Sequence, residues 1–81
     1  MNTRREFHMA RIEVTATVTG LIWDVPVSVG DAVSENDELV IAEAMKMEVA
    51  ITSPASGRIV EILVEKDDEV EEGDLLLVME G

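Results

Sequence analysis

Cysteine and tyrosine are absent from this sequence, and histidine, tryptophan and phenylalanine occur once each. Without cysteine there is no disulfide framework, no thiolate metal site and no cysteine nucleophile. The only histidine, His8, lies in a polar stretch near the start, so a Ser–His–Asp or Cys–His constellation has no histidine in the body of the chain. Basic side chains are scarce: Lys+Arg number 6 against 18 Asp+Glu, for a formal net charge of −12. Nucleic acids and anionic membranes both require a basic surface, so neither is expected as a partner. The longest uninterrupted apolar run, Leu75 to Met79, is too short to cross a bilayer, and no signal-peptide core follows the start. The expected compartment is the cytoplasm. What is present is aliphatic: hydrophobic residues make up 47% of 81 positions, far too many for a disordered acidic chain. A chain of this length is one small domain at most.

Residues 1–8 have no period, and their Glu-Phe and His-Met dipeptides are those that common cloning sites encode. They read as a vector-derived or disordered leader, with the fold occupying 9–81. From Met9 onward Arg11, Lys46, Arg58 and Lys66 stand against 17 acids, a net charge of −13.

An internal repeat organises the rest. At an offset of 37, Gly20–Ala44 aligns without a gap on Gly57–Gly81, and nine of 25 positions are identical. Among them are Gly20/Gly57, Ile22/Ile59, Asp31/Asp68, Val33/Val70, Asp37/Asp74 and Leu39/Leu76. Two repeats are too few for a solenoid and point to half-sheets related by an approximate two-fold axis. Each half is rich in Val, Ile and Leu in short runs split by turn residues, the pattern of β-strands. Arg11 to Thr19 and Val49 to Ser53 supply further strands. No segment carries a sustained helical period, so the expected fold is all-β, with two small sheets packed face to face. Pro26 lies within an apparent strand and is expected at an edge or bulge. Ile22 is out of phase with Val25, Val27 and Val29, which places a bulge near Trp23-Asp24. If Gly57 adopts φ > 0 at its turn, valine there should destabilise.

Chemistry has few places to reside. The carboxylate pairs of Asp67-Asp68-Glu69 and Glu71-Glu72 fall in predicted turns, where no cleft would raise a pKa for acid catalysis. Asp67 to Asp74 also lacks the ligand order of a calcium loop. Lys46 stands out. It lies in Glu43-Ala44-Met45-Lys46-Met47-Glu48, between a strand ending near Ala42 and one starting near Val49. If those strands are antiparallel, Lys46 sits on a hairpin tip and points into solvent. The flanking methionines are unusual turn residues but suit an adaptable contact surface. The plainer reading is an ordinary turn lysine with both methionines folded back onto the sheet.

The segment Glu43-Ala44-Met45-Lys46-Met47-Glu48 resembles the attachment motif of biotin carboxyl carrier domains, and the chain from Val18 to Gly81 resembles the same family. The resemblance includes Val29-Gly30-Asp31-Ala32-Val33, Ser53-Pro54-Ala55-Ser56-Gly57 and Glu72-Gly73-Asp74-Leu75-Leu76. It implies a flattened β-barrel or sandwich of two four-stranded antiparallel sheets, a barrel-sandwich hybrid, with Lys46 on the exposed hairpin. It also implies that a biotin protein ligase joins biotin to the Lys46 ε-amine through biotinyl-adenylate. The domain would then carry a carboxyl group between a biotin carboxylase and a carboxyltransferase, as a non-catalytic subunit that is monomeric when free. Ala44, Met45 and Met47 complete the motif, and Glu43 and Glu48 are expected to help ligase docking. Two features depart from some family members. The stretch Ala16-Thr17-Val18-Thr19 lacks a proline that many carry, and the gapless repeat leaves no room for an inserted thumb loop. The chain is thus similar to thumbless, stand-alone biotin attachment proteins. A lipoyl carrier of an oxo-acid dehydrogenase or glycine-cleavage system would share fold and hairpin, but typically has Asp-Lys-Ala at the tip. An unmodified structural module of lipoyl-like fold would lack the lysine.

Overall fold

The computed structural model describes residues 10–81, and the suggested leader, with His8, lies outside the described residues. Eight strands follow in order: β1 (Arg11–Thr15), β2 (Gly20–Asp24), β3 (Ala32–Val33), β4 (Glu38–Ala44), β5 (Met47–Thr52), β6 (Gly57–Ile62), β7 (Glu69–Val70) and β8 (Leu75–Glu80). They form two four-stranded antiparallel sheets, β1-β8-β6-β3 and β5-β4-β2-β7, and no helix occurs among the described residues. The all-β, two-sheet expectation is what the chain adopts.

The 37-residue offset maps β2 onto β6, β3 onto β7 and β4 onto β8, and it extends beyond the alignable sequence to map β1 onto β5. It also exchanges the two sheets strand for strand, so each sheet takes two strands from each half. Loop hydrogen bonds repeat in the same way. The Ala16 N–H donates to the Asp74 carbonyl and the Ser53 N–H to that of Asp37, both at 2.8 Å. The core is built of matching pairs: Val14/Ile51, Ile22/Ile59, Val33/Val70, Leu39/Leu76, Val40/Leu77 and Ala42/Met79. Interdigitation makes neither half a folding unit, because each half supplies only two strands to either sheet and the core needs all four in both.

Four turns punctuate the strands, each closed by a backbone bond from the fourth residue to the first: Ser28–Asp31, Ser34–Asp37, Glu65–Asp68 and Glu71–Asp74. Their third residues, Gly30, Asn36, Asp67 and Gly73, have φ between 77° and 97°, as a type II turn requires. Glycine, asparagine and aspartate are the residues that reach this region most readily. In every turn the closing aspartate also accepts a hydrogen bond from the first residue's N–H, at 2.8–2.9 Å. Asp31, Asp37, Asp68 and Asp74 are therefore clamps, which explains why the repeat preserves them.

Three local expectations need adjustment. β2 ends at Asp24, so Pro26 lies in an extended link rather than a strand, consistent with its missing N–H. Val25 and Val27 do pack on the core, whereas Val29 is exposed in a turn. The bulge is where it was placed: register shifts between Ile22 and Asp24, and its counterpart lies between Ile59 and Glu61. Gly57 does not have positive φ. A Cβ there would collide with the Glu80 carbonyl, as one at Gly20 would with that of Glu43. These two glycines are required by backbone approach, not by φ.

Candidate functional site

β4 and β5 form a hairpin whose register runs from Glu38↔Thr52 to Ala44↔Met47. Val40, Ala42 and Ile51 anchor it in the core. Only Met45 and Lys46 lie between the strands, with φ of 52° and 65°. Positive φ at both central residues is the signature of a type I′ turn, normally made by Asn-Gly or Asp-Gly. Placing ordinary L-residues there costs about 1–2 kcal/mol each. The tip therefore holds side chains that the turn itself does not favour, so their selection comes from something other than folding.

Lys46 is exposed and forms no ion pair or hydrogen bond with the other described residues. Met45 is 94% exposed and Met47 67% exposed, so the methionines do not fold back onto the sheet. Ala44 is half-buried at the root of the tip. Glu43 and Glu48 face each other across β4 and β5, both exposed. Like charges directly opposite are mildly destabilising in a sheet, a second local cost next to Lys46. Gly20 lets β2 pass against the Glu43–Ala44 backbone, which holds the hairpin root rigid. Beside that root lies a groove of about 630 Å³, lined in part by Leu21, Glu43, Met45, Lys46 and Glu69.

All six residues singled out in the sequence, Glu43, Ala44, Met45, Lys46, Met47 and Glu48, thus belong to one hairpin end. Sequence reasoning missed Gly20, Leu21 and Glu69, which line the adjacent groove. The chemistry on offer is one solvent-facing primary amine on a stiff support. No cluster of three or more metal-ligating side chains occurs among the described residues. An amine placed this way can be acylated by an enzyme that reaches it and can then hold the attached group away from the body.

The family model described as "biotin-requiring enzyme" matches residues 6–79. No curated protein sequence matches the chain. Among solved structures, the chain is similar to the urea carboxylase of Kluyveromyces lactis, with 36% identity and a TM-score of 0.82 over 86% of this chain and 6% of that one. It is similar to a single-chain, multi-domain long-chain acyl-CoA carboxylase, with 31% identity and a TM-score of 0.82 over 86% of this chain and 7% of that one. The chain therefore spans less than a tenth of either carboxylase. It is also similar to the lipoyl domain of the 2-oxoglutarate dehydrogenase complex from Azotobacter vinelandii. That match has 27% identity and a TM-score of 0.71, covering 84% of this chain and 94% of that one.

Proposed function

Because the chain belongs to the biotin/lipoyl attachment family, whose domains carry a cofactor rather than catalyse, we propose that it is the biotin carboxyl carrier of a biotin-dependent carboxylase. The observation that carries this reading is Lys46 held at a two-residue tip between exposed Met45 and Met47. The amine fits a covalently attached acid: it is primary, exposed and free of a competing partner among the described residues. Its nitrogen would attack the carboxyl carbon of biotinyl-adenylate, forming an amide as the C–O bond to AMP breaks and the amine gives up a proton. The amine must be neutral at that moment, so the biotin protein ligase has to supply the base or the desolvation. Biotin, once attached, supplies a ureido nitrogen that accepts and yields a carboxyl group. The chain's own part is to tether it. A tether keeps the group at high effective concentration near both a biotin carboxylase and a carboxyltransferase, provided its geometry spans them. The similarity to two carboxylases at 31% and 36% identity supports this reading over the lipoyl one. Glu43 and Glu48 are the charges a ligase would meet first. We place the carrier in the cytoplasm, as a monomer when free, since its net charge of −12 opposes self-association.

A lipoyl carrier is the second reading, favoured by the A. vinelandii lipoyl domain, of which this chain covers 94%. Intact mass and a peptide map, after incubation with biotin protein ligase, biotin and MgATP, separate the two. One biotinyl group on Lys46, lost in Lys46→Arg, is expected. A lipoyl group added by a lipoate ligase, with no biotin taken up, would overturn the biotin reading.

A further inference from the structure

The pseudo-two-fold axis provides an internal comparison. The outer faces of the two sheets meet the same folding demands, so a difference between them reports something other than folding. On the β1-β8-β6-β3 sheet, one outer row pairs Arg11, Glu80, Arg58 and Ala32. Two arginines flank one glutamate there, so the row carries both signs. Arg11 also pairs with Glu13 at 3.2 Å, and Arg58 donates to the Gly30 carbonyl at 2.7 Å. In the next row Val78 lies between Glu13 and Glu61 and is 1% exposed.

The corresponding row of the β5-β4-β2-β7 sheet reads Glu48, Glu43, Leu21 and Glu69. It has no cation. Leu21 replaces Arg58 and is 38% exposed. In the next row Ile41, the counterpart of Val78, is only half-buried between Ala50 and Asp24. The bulge turns Trp23 outward beside it, 48% exposed, where the other sheet has Val60. One face thus mixes both charge signs and shows only Val60, 37% exposed, at the bulge, while its counterpart carries no cation in these rows and shows Trp23, Leu21 and Ile41 inside an edge of glutamates.

We propose that the outer face of the β5-β4-β2-β7 sheet, centred on Trp23 and Leu21, is the docking surface for the enzyme that acylates Lys46. That enzyme would present an apolar side chain set among arginines or lysines. The choice of occupant follows from reach. Partners that receive the far end of a tethered arm need not touch the body, but an acylating enzyme must come within bonding distance of the Lys46 nitrogen. The groove that joins Leu21, Glu43 and Glu69 to Met45 and Lys46 makes the face and the amine one continuous footprint. A second copy of the chain is disfavoured, because it would set Glu43, Glu48 and Glu69 against their own kind. A tryptophan that becomes buried at the centre of an interface with a polar rim is a frequent binding hot spot.

The inference rests on Lys46 being the acylated residue, and ligation kinetics on the full chain test it. Trp23→Val and Leu21→Val leave side chains the sheet accommodates, and Val60→Ala is the control on the opposite face. For biotin protein ligase, each of the first two variants should raise KM for the carrier about tenfold, the equivalent of ~1.4 kcal/mol, with kcat and Tm little changed. Val60→Ala should do neither, and added salt should raise the wild-type KM. Unchanged KM in both face variants, or an equal effect of Val60→Ala, overturns the proposal while leaving the carrier function intact. A wild-type dimer in sedimentation that Trp23→Val abolishes would assign the face to a second copy and also overturn it. If the wild type takes lipoate instead of biotin, the biotin reading falls and the same comparison with lipoate ligase decides the face. Acylation by neither enzyme overturns both.

Discussion

Two kinds of glycine occupy this chain for unrelated reasons. Gly30 and Gly73 have positive φ, and a Cβ on either would meet nothing within 4 Å. Gly20 and Gly57 have no such φ, but a Cβ on either would strike a neighbouring strand's carbonyl. Their tolerance to substitution should differ accordingly. Gly30→Asn should cost under about 1 kcal/mol, since asparagine reaches the left-handed region readily; Asn36 already holds the same conformation in the next turn. Gly57→Val should cost ~3 kcal/mol or more by forcing two backbones apart, lowering Tm by roughly 12 °C or more. Equal melting points for the two variants would show that the close approach at Gly57 relaxes. In the sequence both kinds look alike, because φ and strand separation are properties of the paired chain.

At the scale of the element, the β4–β5 hairpin combines a strong anchor with a poor turn. Replacing Met45-Lys46 by Asn-Gly should raise Tm by about 4–8 °C per kcal/mol of relieved strain, while removing all cofactor attachment. A scanning calorimeter and an intact mass on the same sample check both halves of that statement. No gain in Tm would mean the tip carries no strain. Lys46 could be located from sequence because a lone lysine between two aliphatic runs has few places to go except a tip. The docking face could not. Whether Leu21 and Trp23 point inward or outward depends on the Ile22/Asp24 bulge. The bulge was legible, but the covering of one sheet face and the baring of the other were not. β1 and β5 show the same limit. They are equivalent edge strands, yet across 10–19 and 47–56 only Thr15 and Thr52 are identical. The central strands keep their identities because both of their flanks must pack.

For the whole molecule, charge is the dominant imbalance. A net charge of −12 is accompanied by a single ion pair among the described residues, Arg11–Glu13. Self-repulsion therefore opposes the compact state. Raising NaCl from about 10 mM to about 0.5 M, which shortens the screening length severalfold, should raise Tm by several degrees. A Tm that stays flat or falls would show that the acids are arranged to avoid one another. The two-sheet architecture itself was readable because the repeat, the turn residues and the short aliphatic runs all pointed the same way.

The Gly81 N–H donates to the Ala10 carbonyl at 3.0 Å. Under the 37-residue offset, this pair occupies the place that Ala44 and Met47 hold around the Lys46 tip. The fold is therefore a ring cut once. A two-residue bridge such as Asn-Gly between Gly81 and Ala10 would close it with a second tip of the same geometry, on the other side of the pseudo-two-fold axis from Lys46. The cut could then be moved to the turn at Val29-Gly30 or at Lys66-Asp67 without touching the attachment hairpin. Which strand comes first is a matter of where the ring is opened, and the proposed attachment site belongs to one of its two poles.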